Sequence, residues 1–178
     1  MDYDPILAAN QKRPLMMKDY LFVFDLDFTL WDCGGTWCDH SLPPYKKVNH
    51  QIFDTNNSEM KLYPDVIHIL EEIFHSGATI AVASRTGESL RAEDLMDISG
   101  IYPYFHYKEI YPGSKIQHFK ALREKTEIPY ERMIFFDDEP RNIHEVSTLG
   151  VNCVLVNEGV NYGLYKTAFI GLDRKEVV

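Results

Sequence analysis

An apolar run that ends in two carboxylates is the feature that most constrains the fold of this chain. The run at residues 21–24 leads directly into Asp25-Leu26-Asp27. Successive apolar residues predict a short strand that is buried on both faces, as at the centre of a parallel sheet. In such sheets, functional groups lie where the carboxyl ends of the strands meet the loops. We therefore expect Asp25 and Asp27 to lie at a functional edge.

The spacing of these two residues has an electrostatic consequence. In a strand, alternate side chains point to the same face, so we expect the two carboxylates on one side, roughly 6.6 Å apart along the chain. Carboxylates this close repel each other, and a bound cation or a raised pKa on one of them relieves the repulsion. A lone Asp-x-Asp is more often a turn or a cap than a catalytic pair, so the interpretation depends on the rest of the chain.

Strands and helices alternate along the rest of the chain. Apolar runs predict strands, and apolar residues at helical spacing predict the helices between them. This alternation predicts parallel βαβ units with right-handed crossovers in a three-layer α/β/α, Rossmann-like sandwich around a central parallel sheet. The predicted strands cover residues 21–24, 78–83, 104–110, 133–136 and 151–156, and the predicted helices begin near residues 64, 88, 115, 143 and 161.

The length of 178 residues fits one domain. We expect residues 1–18 to be a flexible arm and residues 19–178 to form a single domain. The turn-rich segment 31–60 is predicted to be a long loop or small hairpin that forms a flap over the active site, and it is too short to be a large cap domain. A surface loop that is anchored by its aromatic residues is the alternative.

Composition excludes several classes of partner. The net charge of −9 argues against a general nucleic-acid surface and against binding to an anionic membrane. The chain has three cysteines and neither a signal peptide nor an apolar run of membrane-spanning length, so we expect reduced thiols and a location in the cytoplasm, or also in the nucleus. We further expect a monomer. Cys33, Cys38 and His40 are an alternative partial metal site, but no second Cys/His pair has zinc-like spacing.

Functional residue types follow two other predicted strands. Ser84-Arg85 comes after the strand at 78–83, and Asp137-Asp138 after the strand at 133–136. Lys115 begins a predicted helix after a Pro-Gly turn. When each residue is considered alone, a structural role is the alternative interpretation: Ser84 as a helix cap, Arg85 as a member of a surface ion pair and Lys115 as a solvated residue. In a parallel sheet, however, all of these groups reach one edge, which favours a common site with Asp25.

The residue types at this edge indicate phosphoryl chemistry. Asp25, Asp27 and Asp138 offer hard oxygen ligands, which favour Mg²⁺. A serine hydroxyl, an ammonium group and main-chain N–H groups suit the oxygens of a phosphoryl group. Asp25 would bind Mg²⁺ and attack phosphorus, and Asp27 would protonate the leaving oxygen and then activate water.

The chain resembles the haloacid dehalogenase superfamily, and more closely its magnesium-dependent phosphatase family. The matching stretches are DLDFTLW (25–31), LYPDV (62–66), ASRT (83–86), KEIYPGSK (108–115) and MIFFDDEPRNI (133–143). The resemblance implies a phosphatase without a large cap domain. The chain differs from the wider superfamily at Asn142, where many members carry an acidic residue.

The resemblance also assigns roles to residues. It implies that Asp25 is the nucleophile and that Asp27 is the acid and base. It further implies that Mg²⁺ binds the carboxylates of Asp25 and Asp138 and the main-chain carbonyl of Asp27, that Leu26 (through its N–H), Ser84, Arg85 and Lys115 bind phosphate, and that Thr29, Asp137 and Asn142 support these groups.

The substrate stays open at this level. Members of the family act on phosphotyrosine in proteins or on sugar phosphates such as fructosamine phosphates, so we expect a phosphoprotein or a phosphorylated small molecule. Trp31, Trp37 and Tyr45 are candidates for an aromatic wall that suits an aryl ring or a sugar face. The alternatives are a phosphomutase or other phosphotransferase, a phosphonatase, and a non-catalytic module that binds a phosphorylated ligand.

Overall fold

The structure, a computed structural model, describes residues 16–173. Most of the predicted N-terminal arm, residues 1–15, lies outside this range. The last residues of that segment belong to a 3₁₀ turn, Met17–Asp19, which leads into the first strand.

Nine strands and five helices make up the described part of the chain, besides short 3₁₀ turns. The strands are β1 (Leu21–Phe24), β2 (Trp31–Asp32), β3 (Lys46–Val48), β4 (Gln51–Phe53), β5 (Glu59–Leu62), β6 (Thr79–Ser84), β7 (Tyr107–Ile110), β8 (Met133–Asp137) and β9 (Asn152–Leu155). The helices are α1 (Val66–His75), α2 (Ser89–Ser99), α3 (Lys115–Thr126), α4 (Pro140–Ser147) and α5 (Tyr162–Asp173).

The main sheet is parallel and has the order β7-β6-β1-β8-β9, with β1 at its centre. Phe24 pairs with Val82 of β6 on one side and with Phe136 of β8 on the other. This register brings the residues that follow Phe24 next to the carboxyl ends of both neighbouring strands. The predicted parallel sheet is confirmed.

Two apolar layers cover the faces of this sheet. Even-numbered residues of β1, such as Phe22, pack with α1, α2 and α5. Odd-numbered residues, such as Val23, pack with α3 and α4. All four residues of β1 are fully buried, because alternate side chains of a central strand enter opposite layers. The three-layer sandwich predicted from the sequence is therefore present.

The segment predicted as a loop or small hairpin forms a second sheet. Its strands are antiparallel in the order β2-β5-β4-β3, and we call residues 31–62 the flap. Asn49 and His50 connect β3 to β4 with φ angles of 50° and 69°. A two-residue turn with positive φ matches the twist of a hairpin, which allows these short strands to pair.

Two smaller expectations also change. The strand predicted over 104–110 begins only at Tyr107, because Tyr102–Tyr104 form a 3₁₀ turn that contains Pro103. The fourth helix ends at Ser147, so Leu149 lies beyond it. Within residues 16–173, no helix combines the length and the apolar character needed to cross a bilayer.

We expect the substitution Phe22→Ala to lower the free energy of unfolding by about 3–5 kcal/mol, because it opens a cavity in the core. Phe22 is fully buried on the central strand, and its ring lies 5.9 Å from that of Tyr165. Leu90→Ala is the control, since Leu90 is 79% exposed and its removal should change stability by less than about 0.5 kcal/mol. Guanidinium unfolding measures both. Equal values for the two variants would contradict the central role of β1.

Candidate active site

The carboxyl ends of three adjacent strands and the start of one helix meet in a cleft. Asp25 follows β1, Ser84 ends β6, Asp137 ends β8, and Lys115 begins α3. The cleft has a volume of about 290 Å³. Its lining residues are Asp25, Asp27, Trp37, Asp39, Ser84, Arg85, Thr86, Lys115, Asp138, Glu139, Arg141 and Asn142. The structure thus brings together the clusters that the sequence placed at one sheet edge.

Lys115 is at the base of this cleft and is only 1% exposed. Its ammonium donates hydrogen bonds to Asp25 Oδ1 at 2.5 Å, to Asp137 Oδ2 at 2.6 Å and to the carbonyl oxygen of Ala83 at 2.7 Å. Burial alone would lower the pKa of this amine, but the two carboxylates outweigh it and raise the pKa. Lys115 is therefore a buried cation, and its interpretation as a solvated helix residue is wrong.

Three carboxylates lie close together beside this ammonium. Oxygens of Asp25, Asp137 and Asp138 are all within 4.8 Å of one another. Burial raises the pKa of Asp25 to about 8 and that of Asp138 to about 6, and the charge of Asp137 adds to both shifts. One ammonium cannot balance three carboxylates. The cluster therefore has the hard oxygen donors and the excess negative charge that suit a divalent cation such as Mg²⁺.

Asp137 is held in place from several sides. The Asn142 side-chain amide donates to both of its carboxylate oxygens at 3.1 Å, and the Glu139 N–H donates to Oδ1 at 2.7 Å. Arg85 in turn donates to the Asn142 side-chain oxygen at 3.2 Å. Asn142 thus orients Asp137 and connects it to Arg85, and the expected surface ion pair of Arg85 is replaced by this contact.

The carboxylate of Asp27 lines the same cleft as that of Asp25, and its charge adds to the raised pKa of Asp25, but it belongs to a different cluster of side chains. The Asp27 group is near Cys38 and Asp39 of the flap, and burial raises its pKa. Extended geometry ends at Phe24, because the chain turns sharply: Phe28 has a φ of 57°, and the Leu30 N–H donates to the carbonyl of Leu26. The two carboxylates therefore share one cleft but have different neighbouring groups.

Ser84 and Leu26 contribute from the ends of their strands. Ser84 is the last residue of β6, and its hydroxyl accepts a hydrogen bond from the Thr86 N–H at 3.4 Å. Helix α2 begins only at Ser89, so Ser84 is not its cap. Leu26 is fully buried between the two aspartates, and its carbonyl accepts from the N–H groups of the turn that follows, so its phosphate-binding N–H stays a prediction.

The remaining predicted residues are placed differently from expectation. Thr29 is fully buried, and its hydroxyl has no hydrogen-bond partner among residues 16–173. Trp31 is also fully buried, and Tyr45, whose hydroxyl is hydrogen-bonded to Ser41, does not line the cleft, so neither belongs to an aromatic wall. Of the three proposed aromatics, only Trp37 lines the cleft, where it is 52% exposed.

Sequence reasoning missed a contact between the flap and the main sheet. The Thr86 hydroxyl donates to the Asp39 carboxylate, and Arg91 donates to the main-chain carbonyl of Asp39. Asp39 and Thr86 are 47 residues apart, so no local pattern could reveal the pair. Cys33 and Cys38 are buried free thiols, and burial raises the pKa of each, which keeps them protonated.

Comparison with solved structures shows that this fold is shared with proteins of the haloacid dehalogenase type. A solved haloacid dehalogenase-like hydrolase from Streptococcus pneumoniae has the same fold, with a TM-score of 0.59 at 14% identity over 86% of this chain and 92% of that chain.

The chain belongs to the family described as Acid Phosphatase, whose model matches residues 19–174, and is a magnesium-dependent phosphatase of the haloacid dehalogenase superfamily. It is 46% identical to human magnesium-dependent phosphatase 1 over 143 residues, which cover 79% of this chain and 80% of the relative. It is 36% identical to a HAD-like hydrolase superfamily protein of Schizosaccharomyces pombe, over 72% of this chain and 80% of that one.

Mg²⁺ is expected to raise the melting temperature more at pH 8 than at pH 6. The pKa values of Asp138, about 6, and Asp25, about 8, lie above the ordinary 3.8, so protons compete with the cation in this range. In the metal-free protein, these groups stabilise the fold at low pH, and that contribution is lost as the pH rises from about 4 towards 8. Thermal unfolding in EDTA and in Mg²⁺ at both pH values measures the effect.

The control for this prediction separates the cation site from general charge effects. Asp138→Asn should abolish most of the Mg²⁺-dependent shift, whereas Asp94→Asn, on the exposed side of α2, should keep it. A shift of the same size at both pH values would contradict competition between protons and Mg²⁺.

Proposed function

We propose that this phosphatase hydrolyses phosphomonoesters through an aspartyl-phosphate intermediate on Asp25. The different neighbours of the two carboxylates support this proposal most strongly. Asp25 is in the cluster with Asp137 and Asp138, whereas Asp27 faces the flap. A nucleophile and a proton donor need different environments, and a single short motif supplies both.

In the first step, an Asp25 carboxylate oxygen forms a bond to phosphorus while the bond between phosphorus and the leaving oxygen breaks. The leaving oxygen takes a proton from Asp27, so the alcohol departs neutral. In the second step, a water molecule attacks phosphorus and gives a proton to Asp27. The bond between phosphorus and Asp25 breaks, which releases phosphate and restores the carboxylate.

The other cleft residues bind the phosphoryl group and orient the nucleophile. Lys115 holds Asp25 through a 2.5 Å hydrogen bond and supplies positive charge at the base of the cleft, while Ser84, Arg85 and the Leu26 N–H supply donors for phosphoryl oxygens. When Mg²⁺ is bound through Asp25, Asp138 and the Asp27 carbonyl, it offsets the repulsion between the anionic nucleophile and the anionic substrate.

The mouth of the cleft supports a proposal for the substrate class. The flap covers one side without enclosing it, and Trp37 presents a half-exposed indole there. An open cleft with one aromatic face suits a phosphate ester that carries an aryl or sugar ring, as in a phosphotyrosine side chain or a fructosamine phosphate. We propose these two classes, a phosphoprotein and a phosphorylated small molecule, for the protein acting as a monomer.

The variant Asp25→Asn tests the nucleophile. We expect Mg²⁺-dependent hydrolysis of 4-nitrophenyl phosphate by the native chain and a loss of at least about 10³-fold in kcat for the variant, since an amide cannot form the phosphoenzyme. Acid quenching of the native protein during turnover should trap phosphate on Asp25. Asp94→Asn is the matched control and should retain activity.

Two results would contradict this mechanism. Equal turnover by Asp25→Asn and the native chain would show that another group attacks phosphorus. Tight binding of beryllofluoride by a folded, Mg²⁺-loaded native chain that turns over none of the aryl or sugar phosphates would instead support the non-catalytic binding module.

Substitutions of Trp37 test whether its indole contacts the leaving group of the substrate. We expect Trp37→Ala to lower kcat/KM for phenyl phosphate or a sugar phosphate by about 3–10-fold, as expected for the loss of one aromatic contact, and to change the order of the substrates. Trp37→Phe keeps an aromatic face and should retain most of that preference. An unchanged order of substrates in Trp37→Ala would exclude Trp37 from substrate selection.

A further inference from the structure

The acid Asp27 depends on its surroundings for a defined orientation. Its carboxylate lies outside the cluster that Lys115 and Asn142 organise around Asp137. An aspartate side chain has two rotatable bonds, so an acid that lines an open cleft needs other partners to hold one rotamer. Two N–H groups of the flap donate to Asp27 at hydrogen-bond distance, and the Cys38 thiol lies beside the same carboxylate.

Both partners donate to the same oxygen of Asp27. The indole Nε1 of Trp31 donates to Oδ1 at 2.8 Å, and the main-chain N–H of Cys38 donates to the same atom at 2.8 Å. An indole N–H and an amide N–H are donors only. Oδ1 is thereby saturated by groups that keep their protons, and proton exchange with the substrate falls to Oδ2.

Trp31 is firmly anchored in the structure. Its side chain is fully buried in the apolar layer that also contains Phe22, and its main chain pairs with Leu62 of the flap sheet. The carbonyl of Trp31 accepts from the Phe28 N–H at 2.7 Å, which closes the turn after Asp27. A rigid donor four residues after the acid can fix its side chain better than a solvated one.

We propose that Trp31 is a positioning residue for the phosphatase reaction, whose indole N–H holds Asp27 in the orientation that delivers a proton to the leaving oxygen. This inference rests on the proposed function, in which Asp27 is the acid. Trp31 exchanges no proton itself: Asp27 gives one as the bond between phosphorus and the leaving oxygen breaks, and regains one from the attacking water.

The dependence of the rate on the leaving group tests this role. A strongly acidic phenol departs without a proton, whereas a weakly acidic one needs it, so a misplaced acid harms only poor leaving groups. For Trp31→Phe in saturating Mg²⁺, we expect kcat/KM to fall about tenfold for phenyl phosphate and less than about twofold for 4-nitrophenyl phosphate. A series of ring-substituted phenyl phosphates between these limits gives the slope of log(kcat/KM) against the pKa of the leaving phenol, which we call the leaving-group slope.

Two reference variants make the slope interpretable. Asp27→Asn should show a steeper leaving-group slope than Trp31→Phe. The double variant Asp27→Asn/Trp31→Phe should have the same slope as Asp27→Asn, because Trp31 has no effect once the acid that it positions is absent. Tyr165→Phe is the matched control: this buried aromatic also donates to a carboxylate, that of Glu72 at 3.1 Å, but it lies outside the cleft. It should leave the slope unchanged.

The outcomes separate this inference from the proposed function. An unchanged slope in Asp27→Asn would show that Asp27 is not the acid, and the proposed mechanism would fail. A steep slope in Asp27→Asn together with an equal loss for all substrates in Trp31→Phe would overturn the positioning role alone. An unchanged kcat/KM throughout the series in Trp31→Phe would do the same.

A second variant covers the event that Trp31→Phe does not fold. In a Trp37→Phe background, Trp31 is the only tryptophan of the chain and can be replaced during biosynthesis by benzothienylalanine, in which sulfur replaces the indole N–H and the ring shape is kept. The benzothienylalanine-containing protein should show a steeper leaving-group slope than Trp37→Phe, as Trp31→Phe does relative to the native chain. An identical slope would overturn the proposal.

Discussion

The buried ammonium of Lys115 is the interaction on which the site depends. It joins the ends of β1 and β8 through Asp25 and Asp137 and the end of β6 through the Ala83 carbonyl. Such a group stabilises the structure only while its partners are charged and correctly placed. The same contacts that satisfy the cation align the nucleophile, so the core of the sheet and the chemistry of the cleft share one set of bonds.

The sequence was sufficient to predict this edge, because parallel strands place their carboxyl ends together whatever the loops do. Asp25, Ser84 and Asp137 each follow an unbroken apolar run, and Lys115 follows a clear turn. The orientation of Asp27 could not be predicted in this way. It depends on a positive φ at Phe28 and on donors from the flap, and these arise from tertiary packing rather than from local periodicity.

The flap was the least predictable part for a similar reason. Its strands have only two to four residues each, too few for a period to be recognised. Its contacts with the main domain, from Asp39 to Thr86 and from Lys47 to the carbonyl of Ile98, join residues far apart in sequence. The flap nevertheless supplies the Cys38 N–H to Asp27 and Trp37 to the cleft, so its fold determines the surroundings of the acid.

The absence of a large cap among the described residues has a consequence for the fate of a phosphorylated intermediate. A closed chamber can keep bulk water away and favour transfer to a bound alcohol, as a mutase requires. Here a small antiparallel sheet borders a cleft that stays open, so solvent competes with any second acceptor at a great excess in concentration. In the proposed mechanism, this competition makes hydrolysis, rather than relocation of the phosphoryl group, the dominant outcome of each turnover.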